Sequence, residues 1–561
     1  MPSLAILSVL PTLAGPLGLS PASEPEPPAL FKEIGEQALP GVRTTCGSPS
    51  KDYILEVNGG GVGLADLDGD GHLDLVVVDG STLERVDAGE PGFAPRVFLG
   101  RGDATFAPAG EAWAIPGGRF GMGLAIGDVD GDGWLDVLIT EWGRDRLFRN
   151  AAGKGLEAVE AAGLRGKRWG SSAAFFDYDL DARLDLVVIN YLSFDRDEIK
   201  PRGSGCRWKR HEVMCGPEGL IGVHDQLYRG RGDGTFEETT FEAGFRPDRA
   251  GFGLGVTTLD FDADGDTDLY VTNDSTDNHL WANQGDGTFA EVGFQTGVSR
   301  DANGKEQAGM GIAAGDIDGD GREDLVVTNF SGETNALYVS HKRGGFRERA
   351  SPFGLGGPSV GRLGWGTVLF DADLDGDLDL AVVNGHVYPQ ADEVGTDTSY
   401  AQADQLFRYE AAADPSKRGR FVEGPLSDGA PGVSRAAAAG DLDGDGDLDL
   451  VVLDLDGPVR VLRNDTPHGP EAHWLRVALR GTSSNRFGLG ARVTAVWEGG
   501  QRTVEVRSSG GFQAACPPEA HFGLGRVSEL ERIVVRWPAG REQVVEGPEL
   551  DRLLVITEES E

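Results

Sequence analysis

Residues 61–78 read GVGLADLDGDGHLDLVVV, and the phrase returns six more times along the chain. The other copies are GMGLAIGDVDGDGWLDVLIT from Gly121, SSAAFFDYDLDARLDLVVI from Ser171, GFGLGVTTLDFDADGDTDLYVT from Gly251, GMGIAAGDIDGDGREDLVVT from Gly309, GWGTVLFDADLDGDLDLAVV from Gly364 and RAAAAGDLDGDGDLDLVVL from Arg435. Each joins a small apolar run to an acidic loop and then to β-branched residues, which reads as strand, loop, strand. The first aspartates fall at 66, 128, 177, 260, 316, 371 and 441, so successive gaps are 62, 49, 83, 56, 55 and 70 residues. A second phrase follows most copies, as in VFLGRGDATF, LYRGRGDGTF, LWANQGDGTF and LYVSHKRGGF. Apolar residues on both sides of a Gly/Asp turn mark a hairpin. One repeat therefore holds four strands, the content of a propeller blade. The expected fold is all-β: a seven-bladed β-propeller over residues 29–466.

The acidic loops carry the chemistry. Their aspartates, at positions 1, 3, 5 and 9, are Asp66, Asp68, Asp70 and Asp74; Asp128, Asp130, Asp132 and Asp136; Asp177, Asp179, Asp181 and Asp185; Asp260, Asp262, Asp264 and Asp268; Asp316, Asp318, Asp320 and Asp324; Asp371, Asp373, Asp375 and Asp379; and Asp441, Asp443, Asp445 and Asp449. Alternate residues of an extended loop point the same way, so carboxylates converge. Like charges ~4 Å apart repel by about 4 kcal/mol at an effective dielectric near 20. A hard divalent cation removes that repulsion, and calcium, which takes six to eight oxygens, fits better than magnesium. Up to seven Ca2+ are expected. An EF-hand is excluded because position 12 is Val or Ile (Val77 in the first copy), where that loop needs a bidentate Glu. The third loop has Leu180 and Ala182 where most copies have glycine, and is expected to bind most weakly.

Composition bounds the rest. The 561 residues carry a formal net charge of −40, which repels phosphate backbones and excludes a nucleic-acid partner. Residues 1–28 read as a signal peptide and acidic, Pro-rich spacer, with a cut near Ala22 or Ser23. No other apolar stretch approaches 18 residues, so no spanning helix is expected. Cys206 and Cys215 flank a loop in the 83-residue gap and are expected to pair, as secreted proteins allow. Cys46 and Cys516 are left unassigned. Residues 470–561 alternate apolar and polar positions, as in WLRVAL and ARVTAVW, which predicts a small β-rich C-terminal domain beyond the turn-rich NDTPHGPEAH.

These phrases resemble the FG-GAP/VCBS repeats of integrin alpha subunits and of the cartilage acidic protein family with its bacterial relatives. FKEIGEQALPG near the start, CGPEGLIGVHDQLYRGRGDGTF and VNGHVYPQ are similar to phrases of that family. GLGARV, HFGLG and RWPAG are similar to an ASPIC/UnbV-type C-terminal domain. The resemblance implies a secreted or cell-surface calcium-binding propeller, extracellular or periplasmic, and implies no established catalytic activity.

Other motifs weigh little. No HExxH, GxSxG or P-loop is present. His386 is a candidate for the axial channel, with a structural role the plainer reading. The RGD triplets at 101–103 and 231–233 sit in the hairpin phrase and read as turn chemistry. Asn273, Asn329 and Asn464 open N-x-S/T sequons. The function expected is a monomeric, non-enzymatic module binding an extracellular protein or glycan, with calcium mainly structural. The alternative is a metal-dependent lyase or hydrolase acting on carbohydrate at the propeller axis. A third possibility makes the ring a scaffold for the C-terminal domain.

Overall fold

Every copy of the repeated phrase forms an antiparallel strand pair closed by its acidic loop in the computed structural model, which describes residues 30–412, 418–467 and 472–560. The first pair sets Ala65 opposite Asp74 and Gly61 opposite Val78. The second strands, such as Asp185–Asn190 and Asp379–Asn384, are buried along their whole length. That is why they read as unbroken apolar runs rather than alternation. The hairpin phrase adds two more strands, as where Arg96–Gly100 pairs with Phe106–Pro108. Its turn is built by the acid: Asp103 Oδ1 accepts from the Thr105 N–H at 3.1 Å, and Asp233 from Thr235 at 3.0 Å. Asp286 and Thr288 make the same turn without a neighbouring arginine, so both RGD triplets are turns that happen to follow Arg.

Among the described residues the repeats form four four-stranded sheets, one eight-stranded sheet that holds two repeats, and one five-stranded sheet in which Ala514–Ala515 joins the first repeat. The inner strands are Gly61–Ala65, Gly121–Gly127, Arg168–Phe176, Gly253–Leu259, Ile312–Gly315, Gly364–Phe370 and Ser434–Gly440. Each touches the next, and the last touches the first, so the sheets form a closed ring. The final sheet takes its outer strand from the start of the chain: Phe31–Glu33 pairs with Val459–Asn464, Phe31 opposite Asn464. Closure leaves only short edges.

Glycine and threonine let the inner strands approach. A Cβ on Gly123 would lie 2.7 Å from the Ser171 carbonyl oxygen of the next blade, and one on Gly311 would lie 2.0 Å from that of Trp365. Thr328 at the end of its second strand receives the Gly311 N–H at 2.8 Å and donates to the Trp365 carbonyl at 2.7 Å. Thr140 makes the equivalent pair of bonds to Gly123 and Ser171. One hydroxyl thus stitches two blades.

The C-terminal segment forms a three-stranded sheet centred on His473–Arg480 and a four-stranded sheet with Arg492–Trp497 and Arg532–Arg536 inside, packed over Val477, Val493, Phe522, Ile533 and Trp537. It is not merely appended. Its loop 508–516 enters the ring: Ala514–Ala515 lies parallel on Gly61–Ala65, and Gly511 O accepts from Val256 N–H at 2.8 Å. Gln513 O accepts from Val62 N–H at 3.1 Å, and the Gln513 N–H donates to Ser172 Oγ at 3.0 Å. Phe512 is fully buried against Trp365, ring centroids 5.2 Å apart, in one cluster with Met122, Leu254 and Met310. The axis expected to be a channel is therefore filled from this side.

Cys206 and Cys215 are bonded, and Cys46 and Cys516 are not. Residues 1–28, the expected signal peptide, lie outside the described residues. No helix among the described residues is long and apolar enough to cross a membrane.

Candidate metal centres

In each loop the backbone winds around its first aspartate. Asp66 accepts from the N–H groups of Gly69 and Gly71 at 2.8 and 3.1 Å, and Asp128 from Gly131 and Gly133 at 2.8 Å each. Asp316 and Asp371 are held in the same way by Gly321 and Gly376, and Asp441 by Gly444. The winding needs left-handed backbone at positions 4 and 6: Gly69 and Gly71 have φ of 77° and 90°. The third loop puts Leu180 and Ala182 there at 56° and 68°, the one loop with no glycine at either place.

Position 9 has a second job that sequence reading missed. Asp74 accepts from Leu67 N–H with one oxygen and from Gly100 N–H with the other, at 2.8 and 2.9 Å. Asp136 does so with Val129 and Asn150, and Asp449 with Leu442 and Asn464. Asp185, Asp268, Asp324 and Asp379 repeat the pattern. This carboxylate staples the loop to the third strand, and each oxygen keeps a lone pair for a ligand.

The loops bring their acids together as expected. Carboxylate oxygens of Asp66, Asp68 and Asp70, and of Asp316, Asp318 and Asp320, lie within 4.8 Å of one another. So do those of Asp128, Asp130 and Asp136, of Asp177, Asp179 and Asp185, and of Asp260, Asp262 and Asp268. Burial holds the position 9 carboxyls far above the usual range: Asp136 is pushed up to about 8, Asp268 to about 9 and Asp379 to about 8. Backbone N–H bonds offset only part of that. Buried acceptor atoms also stand without a partner, namely Oδ1 of Asp179, Asp318 and Asp443 at position 3 and Oδ1 of Asp260 at position 1. An oxygen-only donor set with orphaned, desolvated carboxylate oxygens fits a hard divalent cation.

Acids at position 7 join three of these loops. Asp447 is 1 % exposed and pushed up to about 9 by burial and then by Asp445, Asp449, Asp443 and Asp441. Asp266 and Asp377 are also raised, chiefly by burial. The DGDLD spelling of the seventh loop carried that signal.

Arginines meet several loops. Arg149 lies 3.0 Å from Asp130. In the third loop Arg229 binds Asp179 and Arg183 binds Asp181, so two guanidiniums stand where a cation would go. Others come from the C-terminal domain: Arg476 bonds Asp441 at 2.6 Å and Arg492 bonds Asp260 at 3.3 Å. His521 Nε2 donates to Gly446 O at 2.9 Å, Gly525 N–H to Leu374 O at 3.0 Å, and Arg507 makes two 2.8 Å bonds to Glu323. The domain thus sits on the acidic-loop face.

The remaining motifs are structural. His386 is fully buried, accepts from Tyr388 N–H at 3.0 Å and is held neutral, down to about 3, by burial and Arg435. Asn273, Asn329 and Asn464 are 1, 1 and 2 % exposed and donate to the carbonyls of Asp277, Thr334 and Ala372. Folded, none offers its amide to a glycan.

Comparison with known proteins fits this architecture. The FG-GAP-like repeat model matches residues 66–139, 128–188, 260–327 and 316–382, and the ASPIC and UnbV model matches 481–561. Cartilage acidic protein 1 of Xenopus tropicalis is 26 % identical over 528 residues, covering 88 % of this chain and 73 % of that protein. The Homo sapiens protein of the same name is 26 % identical over 577 residues, covering 96 % and 76 %. Among solved structures, the BP39L lectin of Burkholderia pseudomallei aligns at 14 % identity over 74 % of this chain and 99 % of its own, with a TM-score of 0.41. The chain is thus similar to FG-GAP-like repeats in its ring, to the ASPIC and UnbV domain in its C-terminal sheets, and over most of its length to cartilage acidic protein 1.

Proposed function

We propose that the chain is a secreted, calcium-stabilised propeller that serves as an extracellular protein- or glycan-binding module. The observation that carries this reading is the repeated orphaned carboxylate oxygen, at Asp260, Asp318 and Asp443 of the fourth, fifth and seventh loops. Asp at positions 1, 3, 5 and 9 would hold the ion, and the ion supplies the positive charge that burial of these acids otherwise lacks. The Cys206–Cys215 bond supports an oxidising compartment. Catalysis at the axis finds little support: the acidic-loop end is filled by Phe512, and His386 is buried and neutral.

Thermal unfolding of the full chain in calcium and in chelator tests this. Extracellular-type sites bind at about 10⁻⁴–10⁻³ M, and tenfold excess adds roughly 1.4 kcal/mol per site. Seven sites give on the order of 10 kcal/mol, so a large upward shift in calcium is expected. Equal midpoints in the two buffers would overturn the structural role of calcium.

A further inference from the structure

The C-terminal domain covers the acidic-loop face, so the opposite end of the axis is the one left for a ligand. That end is a cavity of about 580 Å3. Its walls come from the segments just before the inner strands and just after the second strands of several blades, including Asn58, Tyr191, Asp274, Phe330 and Tyr388, with Trp365 from the start of the inner strand Gly364–Phe370. Trp365 separates it from the Phe512 plug, and the Gln513 side chain of the plug donates to Asn58 O at 2.7 Å, fixing the cavity floor. A strap closed by Cys206–Cys215 lies over it, and Trp208 on that strap packs against His386 and Tyr388 with centroids 4.6 and 5.7 Å apart.

The polar groups converge and are biased. Tyr191 donates to Asp274 at 2.6 Å, and the Asp274 charge reaches Tyr388. Asn58 is 2 % exposed, yet its Oδ1 has no hydrogen-bond partner. A buried amide oxygen left unpaired costs stability, a cost that a hydroxyl entering the cavity would relieve. At the rim Glu333 is paired with Lys305 at 2.9 Å and Arg207 lies 3.7 Å from Glu212, so these charges offset one another and Asn58 and Asp274 remain as the acceptors of the lining. Phe330 and Tyr388 line the same cavity, their ring centroids 6.3 Å apart in an edge-to-face arrangement.

We infer that this strapped axial cavity is a saccharide site, in which Asn58 and Asp274 accept from ring hydroxyls and Phe330 and Tyr388 pack on the C–H face of the sugar. Neutral hydroxylated rings combine many O–H donors with one apolar face, which matches the lining. The inference rests on the binding-module reading above and names its ligand class and location.

The test uses the full chain in calcium, applied to an array of neutral oligosaccharides ending in hexose, deoxyhexose and N-acetylhexosamine, with tetramethylammonium titrated in parallel. Binding to at least one sugar terminus is expected, weakened tenfold or more by Asn58→Ala. Phe330→Ala, at a half-buried rim position, should weaken it similarly while leaving the unfolding midpoint within a few degrees. No sugar bound at millimolar concentration, binding indifferent to both variants, or tetramethylammonium bound in place of sugar would overturn the inference. The calcium shift is measured on the same sample: a chain that shifts with calcium but takes no sugar refutes the cavity assignment alone, whereas loss of the shift refutes the calcium reading.

Discussion

Ala182 shows at residue scale what the loop demands. Its φ of 68° costs an L side chain about 1 kcal/mol relative to glycine. Ala182→Gly is therefore expected to raise stability by about 1 kcal/mol in denaturant unfolding with chelator present. An unchanged or lower midpoint would refute the strain. A second residue gives a pH dependence away from the loops. Asp225 accepts from Asn190 N–H at 2.8 Å and is pushed up to about 7 by burial. Because its folded value lies above the unfolded value near 4, its favourable contribution is full below about pH 4 and lost as pH rises through 7. The unfolding midpoint should fall between about pH 4 and 7, and Asp225→Asn should flatten that slope; an identical slope in both proteins would contradict it. The loop aspartates were legible because their spacing repeats. Asp225 was not, since nothing local marks an acid that will cap a strand 35 residues away. Nor were the arginines that cross to the loops, Arg492 and Asp260 being 232 residues apart.

At the scale of elements, strands and hairpins announced themselves through β-branched runs and Asp-Gly turns, and these fix the blades. Two elements gave no such signal. Phe31–Glu33 is a three-residue strand whose partner stands at the far end of the ring. The plug, SSGGFQAAC over 508–516, has no period, because each residue meets a different blade rather than one repeating face. Phe512 is its anchor. Phe512→Ala is expected to cost about 3–5 kcal/mol, since it empties a fully buried seat that the ring cannot collapse. A loss below 1 kcal/mol in equilibrium unfolding would show that the plug is incidental.

For the whole molecule, the acidic charge is divided by face. The loops concentrate acid on one side of the ring, and the C-terminal domain lays arginines 476, 492 and 507 against that side. In the proposed reading that charge is balanced by guanidinium at some loops and by calcium at the rest. The third loop, with two arginines of its own and no glycine at the turning positions, is the one where guanidinium suffices. The most direct test is the number of calcium ions bound per full-length chain, measured by elemental analysis after equilibration in millimolar calcium. Six or seven are predicted, with the third loop accounting for any shortfall. None, or only one or two, would contradict the account of the ring as a calcium-stabilised assembly.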